Sequence, residues 1–140
     1  MTLKALVEYI KSTALSQPNV RSFGEGSIYD FMNANPSIAY DVVFASQTTH
    51  REVERWDYYG FNLFYVSRLD DDLESNRLEV QSIGKEVLDN IIRNVCEGLD
   101  IEYPTVSYTP FTQRFVDECA GVYCTITFEI PKDVICGEVY

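Results

Sequence analysis

The stretch WDYYGFNLFYVSRLDDDLESNRLEVQSIGKEVLDNIIRNV, residues 56–95, changes its hydrophobic period partway along, and that change decides the fold. Over residues 56–68, Tyr58, Tyr59, Phe61, Leu63, Phe64, Tyr65 and Val66 put apolar groups on both faces of an extended chain. Such a segment predicts a central strand, covered on both sides or packed against a neighbour. Over residues 76–97 the period becomes helical. Val80, Ile83, Val87, Leu88, Ile91, Ile92 and Val95 recur at three- and four-residue spacing, with Lys85, Glu86, Asp89 and Arg93 on the other face. Lys85 with Asp89, and Asp89 with Arg93, are spaced to support the helix by a few tenths of ~1 kcal/mol each. Gly98 predicts the C-terminal cap. Between strand and helix stand Asp70, Asp71, Asp72 and Glu74. They lack the ligand spacing and mid-loop glycine of a calcium loop, so a solvated acidic loop near the positive end of the helix is expected.

Upstream, residues 2–16 predict an amphipathic helix. Leu3, Leu6, Val7, Ile10 and Ala14 share a face, Thr2 offers a capping hydroxyl, and Pro18 and Asn19 end it. Gly24 and Gly26 mark a turn, residues 27–33 form one or two helical turns, and Pro36 precedes a strand at 38–46. That strand places Tyr40, Val42 and Phe44 opposite Asp41, Val43 and Ala45. The polar run QTTHREVER, residues 47–55, then reads as an exposed hairpin tip with uncertain strand extensions.

Downstream, residues 121–130 alternate cleanly: Val122, Cys124, Ile126, Phe128 and Ile130 one way, Tyr123, Thr125, Thr127 and Glu129 the other. Residues 105–109, continuing irregularly past Pro110 to Phe115, form a partner; the proline makes it an edge, bulge or turn. The order predicts one α+β domain over residues 1–140, an antiparallel or mixed sheet with one long amphipathic helix and an N-terminal helix packed on it.

A chain of 140 residues can bury a core without a disulfide or metal. Its net charge of −11 argues against gripping nucleic acid or an anionic membrane, although a negative wall would let a duplex slide past. Cys96, Cys119, Cys124 and Cys136 contain no CxxC pair, and His50 is the single histidine. This predicts reduced, mostly buried thiols with no bound metal. No secretory signal or apolar run of bilayer-spanning length is read. His50 with Glu52 or Asp57 has the composition of an acid–base pair but lies in a strongly polar run, and the short Gly24-Glu25-Gly26 run is not a phosphate loop. No catalytic residue, cofactor or metal ligand is assigned. The ten tyrosines suit either interfaces or sheet margins.

The 56–95 segment joins an aromatic strand, an Arg-Leu-Asp step, an acidic loop and an amphipathic helix opening with Gln-Ser-Ile-Gly. Together with PFTQRFVDECAGVYCTITFEI, residues 110–130, it resembles proteins from tail-module regions of tailed bacteriophages and Bacteroidales prophages, including crAss-like phages. The order of elements also resembles the tail-terminator and neck-protein fold. This resemblance is one of pattern, covers most of the chain after residue 38, and contains no catalytic motif. It implies a virion subunit assembled in the host cytoplasm into a homo-oligomeric ring at the head–tail junction or tail end. Portal, neck or tail proteins would be its partners, and DNA would pass through the ring without sequence-specific binding. In such a ring the residues expected to meet a neighbour are Gln47, Thr48, Thr49, His50, Arg51, Glu52, Glu54 and Arg55, whose alternating charges could fix register. The alternative is a small-molecule- or peptide-binding module, or a weak enzyme, with an aromatic cleft near Tyr58, Tyr59 and Tyr65.

Overall fold

The computed structural model describes residues 1–34, 39–68, 73–114 and 118–132. Along the chain run α1 (Leu3–Leu15), β1 (Ser22–Glu25), α2 (Ile28–Ala34), β2 (Val42–Val53), β3 (Trp56–Arg68), α3 (Leu73–Leu99), β4 (Tyr108–Arg114) and β5 (Glu118–Pro131). The five strands make one sheet in the order β1-β2-β3-β5-β4. β1 lies parallel to β2, and the other three pairings are antiparallel. The sheet is therefore mixed, and the fold is α+β.

Strand alternation sorts the side chains into two layers. Tyr59, Phe61, Leu63 and Tyr65 of β3 and Val122, Cys124, Ile126, Phe128 and Ile130 of β5 face α1 and α3. Leu6, Ile10 and Ala14 of α1 and Val87, Leu88, Ile91, Ile92 and Val95 of α3 complete that core. On the opposite face α2 brings Ile28 and Met32 onto Phe44, Val66 and Cys119. Phe64 extends this second layer, its ring 6.4 Å from Phe44, 6.2 Å from Phe111 and 5.5 Å from Tyr123. This is why β3 is apolar on both sides: it is the central strand, covered twice at one end. At its other end the second face is open, and Thr125, Thr127 and Glu129 of β5 are exposed there.

Thr2 caps α1 as its hydroxyl implied, accepting from the Ala5 N–H at 3.1 Å. Several expectations need correction. The glycine-marked turn at 24–26 is a strand up to Glu25. Gly24 pairs with Phe44 in the parallel ladder, and the Phe31 and Phe44 rings occupy the space a side chain would need. Only Gly26, at φ 104°, makes the turn. β2 starts at Val42 and continues to Val53, well past the expected end at residue 46. β4 starts at Tyr108, because residues 101–107 form no regular element; Pro110 does lie in an outer strand. Pro36, Ile38, the acids Asp70, Asp71 and Asp72, Phe115 and Cys136 fall outside the described residues.

The long helix runs further than its apolar stripe, from Leu73 to Leu99, and Gly98 does not cap it. Gly98 lies in the last turn, where the Tyr9 hydroxyl of α1 fills the place of a side chain. The cap is Asp100, at φ 53°. Its N–H donates to Glu97 at 3.2 Å, and the Ile101 N–H donates to Cys96 at 3.0 Å. This is the paired bonding that closes helices through a left-handed residue. An aspartate there accepts a conformation that favours glycine and puts a negative charge at the negative end of the helix. Asp100→Gly should raise stability by about 0.5–1 kcal/mol, read as a higher urea midpoint at unchanged slope.

Candidate subunit-contact surface

Beyond Ser46, β2 leaves the shelter of the helices, and every residue from Gln47 to Val53 is exposed. The segment is nevertheless strand, because pairing with β3 satisfies its backbone without burying its side chains. Gln47 lies opposite Phe61 and Thr49 opposite Gly60, leaving Thr48 as an extra, bulged residue. His50 then pairs with Tyr59, Arg51 with Tyr58, Glu52 with Asp57 and Val53 with Trp56, so the turn is only Glu54 and Arg55. Glu54 takes φ 53°, the left-handed conformation a two-residue hairpin loop demands. The expected polar tip is thus two strand arms with a minimal turn.

The bulge divides the charged residues between the two faces. On the helix-covered face His50 stacks on Tyr59 at 4.4 Å, and its Nε2 lies 3.0 Å from an Asp57 carboxylate oxygen. The Tyr59 hydroxyl donates to the Met1 carbonyl at 2.8 Å. Burial, followed by the charges of Asp57 and Glu52, pushes the Tyr59 phenol up. On the open face the Arg51 guanidinium lies 4.8 Å from the Tyr58 ring centre, a cation–π contact. Lys132, just past β5, pairs with Glu52, and its N–H donates to the Arg55 carbonyl at 2.7 Å. The hairpin therefore ends level with β5. His50 and Asp57 do meet, and their contact holds the imidazole against Tyr59.

Val53 and Trp56, at 41% and 42% exposure, stand at the end of this surface. Sequence reasoning left both out of the candidate set. A large apolar pair flanking a polar turn was the available signal. The aromatic cleft proposed around Tyr58, Tyr59 and Tyr65 is not assembled. Tyr59 and Tyr65 are buried in the core beneath the helices, and Tyr58 faces the other way. Instead a groove of about 380 Å³ lies along β5, lined by Glu102, Tyr103, Thr105, Thr125, Thr127 and Glu129 among others.

Two further polar clusters serve the frame. Tyr65 and Ser67 both donate to Asp41 near the far end of β3, and burial, then Asp41, raises the Tyr65 phenol. On α3 the Asp89 carboxylate accepts from Tyr103 at 2.5 Å, from Arg93 at 2.7 Å and from Tyr108 at 3.3 Å. The Tyr103 bond and the charges of Arg93 and Lys85 hold Asp89 below the usual carboxylate range, against its burial. Lys85 lies over the Tyr108 ring at 5.5 Å, so the expected Lys85–Asp89 support acts through space beside that ring. Cys96, Cys119 and Cys124 are buried, and Cys96 and Cys124 are free thiols. Burial pushes Cys96 up to about 11 and Cys124 up to about 12, which leaves little thiolate. Among the described residues no helix is long and apolar enough to cross a membrane, and no group of three or more His, Cys, Asp or Glu could hold a metal ion.

The fold and this surface define a class: a mixed-sheet α+β protein with one end of its sheet exposed. No protein-family model and no curated protein matches the chain.

Proposed function

We propose that the protein is a structural virion subunit. It assembles into a ring at the head–tail junction or tail end of a tailed phage, around the DNA channel, with portal, neck or tail proteins as partners. The observation that carries this reading is the β2 arm. From Gln47 to Val53 its residues are exposed, it is held in strand form by β3, and it ends at Val53, opposite the exposed Trp56. A strand whose outer edge is unpaired among the described residues is a ready template for another chain. The pattern of residues 56–95 and 110–130 supplies the phage context, and the net charge of −11 suits a ring wall that repels passing DNA.

The test is Arg51→Glu combined with Arg55→Glu. Both residues are exposed, so the change should cost within about 1 kcal/mol, mostly the Arg51 contact with Tyr58. Circular dichroism should be unchanged, whereas ring or particle formation with neck and tail partners should weaken, because like charges then face the neighbour. A mutant that assembles as the native chain does would remove the hairpin from the interface.

A further inference from the structure

The sheet has bare edges on both sides of β3 at the same end. β1 pairs with β2 only from Val42 to Ala45, so the outer edge of β2 beyond that point has no partner among the described residues. β4 pairs with β5 only from Glu118 to Cys124, so the edge of β5 from Thr125 onward is equally bare among them. Residues 101–107 run alongside that edge and form the groove, yet no backbone hydrogen bond joins them to β5. At the other end of the sheet the edges are protected by devices proteins commonly use, a very short strand in β1 and a proline-bearing strand in β4.

The two bare edges differ in charge on the open face. One cross-strand row there runs Arg51, Tyr58, Glu129 across β2, β3 and β5. It has a cation at one outer edge and a carboxylate at the other, and Glu102 adds a second acid beside Glu129 in the groove. The next row, Thr49, Gly60, Thr127, has a small β-branched residue at each end. The last row, Val53, Trp56, Pro131, is apolar.

We infer that the occupant of the β5 edge is the β2 edge of a second copy, so that one sheet continues from subunit to subunit. This rests on the ring reading and specifies its contact. Adding the row of one copy to that of the next places Arg51 against Glu129, Thr49 against Thr127 and Val53 against Pro131. Pairing β2 with β2, or β5 with β5, would bring Arg51 near Arg51 or Glu129 near Glu129. β2 and β5 are both antiparallel to β3 and so run in the same direction. A neighbour rotated about an axis near the strand direction therefore adds in parallel, and every contact is head-to-tail, the kind that closes into a ring. The charges and the bulge at Thr48 discourage indiscriminate pairing, leaving the edge to a complementary partner.

Charge reversal with rescue tests the pairing. Arg51→Glu alone and Glu129→Arg alone should each weaken self-assembly about tenfold at low salt, and the double variant should recover it. Recovery cannot come from a general loss of fold, because the double variant carries both lesions. In a second arm, copies carrying Thr49→Cys are mixed with copies carrying Thr127→Cys and oxidised. A disulfide-linked pair should form in the mixture and from neither variant alone, with the native chain controlling for its own thiols. Within one chain the two positions are separated by β3, about 10 Å apart, too far for a disulfide. A native chain that assembles while the reversals show no rescue and the mixture no cross-link overturns edge pairing and leaves the ring standing. Cross-linking by one variant alone overturns it in favour of a symmetric contact. A native chain that stays single at every concentration, alone and with phage tail proteins, overturns both readings.

Discussion

Ile91→Ala should lower stability by about 2–5 kcal/mol, the cost of a cavity in a core that cannot close over it. Ile91, in the C-terminal half of α3, is completely buried in the same cluster as Val122, Ile126 and Phe128 of β5 and Leu6 and Ile10 of α1. It sits where both helices and the sheet meet, so no single element can shift to fill the space. α3 has 27 residues, about 40 Å of helix, and its packing on β3 and β5 sets the position of the sheet. A matching Leu78→Ala change on the same helix removes a residue that is 67% exposed and should cost within about 0.5 kcal/mol. Denaturant melts of both variants, at one protein concentration because assembly would couple to unfolding, should show a large midpoint loss for the first only. Equal small losses would mean that α3 presents a different face to the sheet.

Gly121→Ala should be at least as damaging, at or above the upper end of the ~1–3 kcal/mol typical of overpacking. Gly121 lies in β5 opposite Val66 and Phe111. A methyl group there would run into the Tyr65 carbonyl of the neighbouring strand and touch the Phe111 ring at 3.1 Å. A side chain can swing aside, but a carbonyl within a paired strand cannot move without breaking the ladder. The β3–β5 pairing would have to part near Val66, where α2 and the second apolar layer also depend on it. Thr127→Val on the same strand keeps the shape of an exposed residue and should change stability by less than about 0.5 kcal/mol. Intact urea midpoints for both variants would show that β5 is not held as tightly against β3 as described.

The parts of the fold that could be read from sequence are those where burial imposes a period. Residues 121–130 of β5 alternate because one face meets two helices, β3 is apolar on both faces because it is covered twice at one end, and α3 repeats because its stripe lies on the sheet. β1 was hidden because four residues, Ser-Phe-Gly-Glu, are too few to show alternation. Its strand form comes from a parallel neighbour twenty residues further along the chain. The extension of β2 was hidden for the opposite reason: pairing with β3 holds Gln47 to Val53 extended without burying them, and hydropathy reports burial alone. Gly98 misled because glycine serves close packing as well as capping, and here the Tyr9 hydroxyl claims its space. Of the surface, the charged run was legible as exposed. The row joining Arg51, Tyr58 and Glu129 was not, since the place of Glu129 depends on a register between strands some seventy residues apart.

A ring requires the protein's working form to be an assembly of identical subunits. Its mass in solution, followed from dilute to the limit of solubility and paired with negative-stain images, tests this most directly. The expected result is a jump from one chain to a single closed multiple, seen as rings of uniform diameter. A single-chain mass throughout, unchanged when phage neck and tail proteins are added, would contradict it.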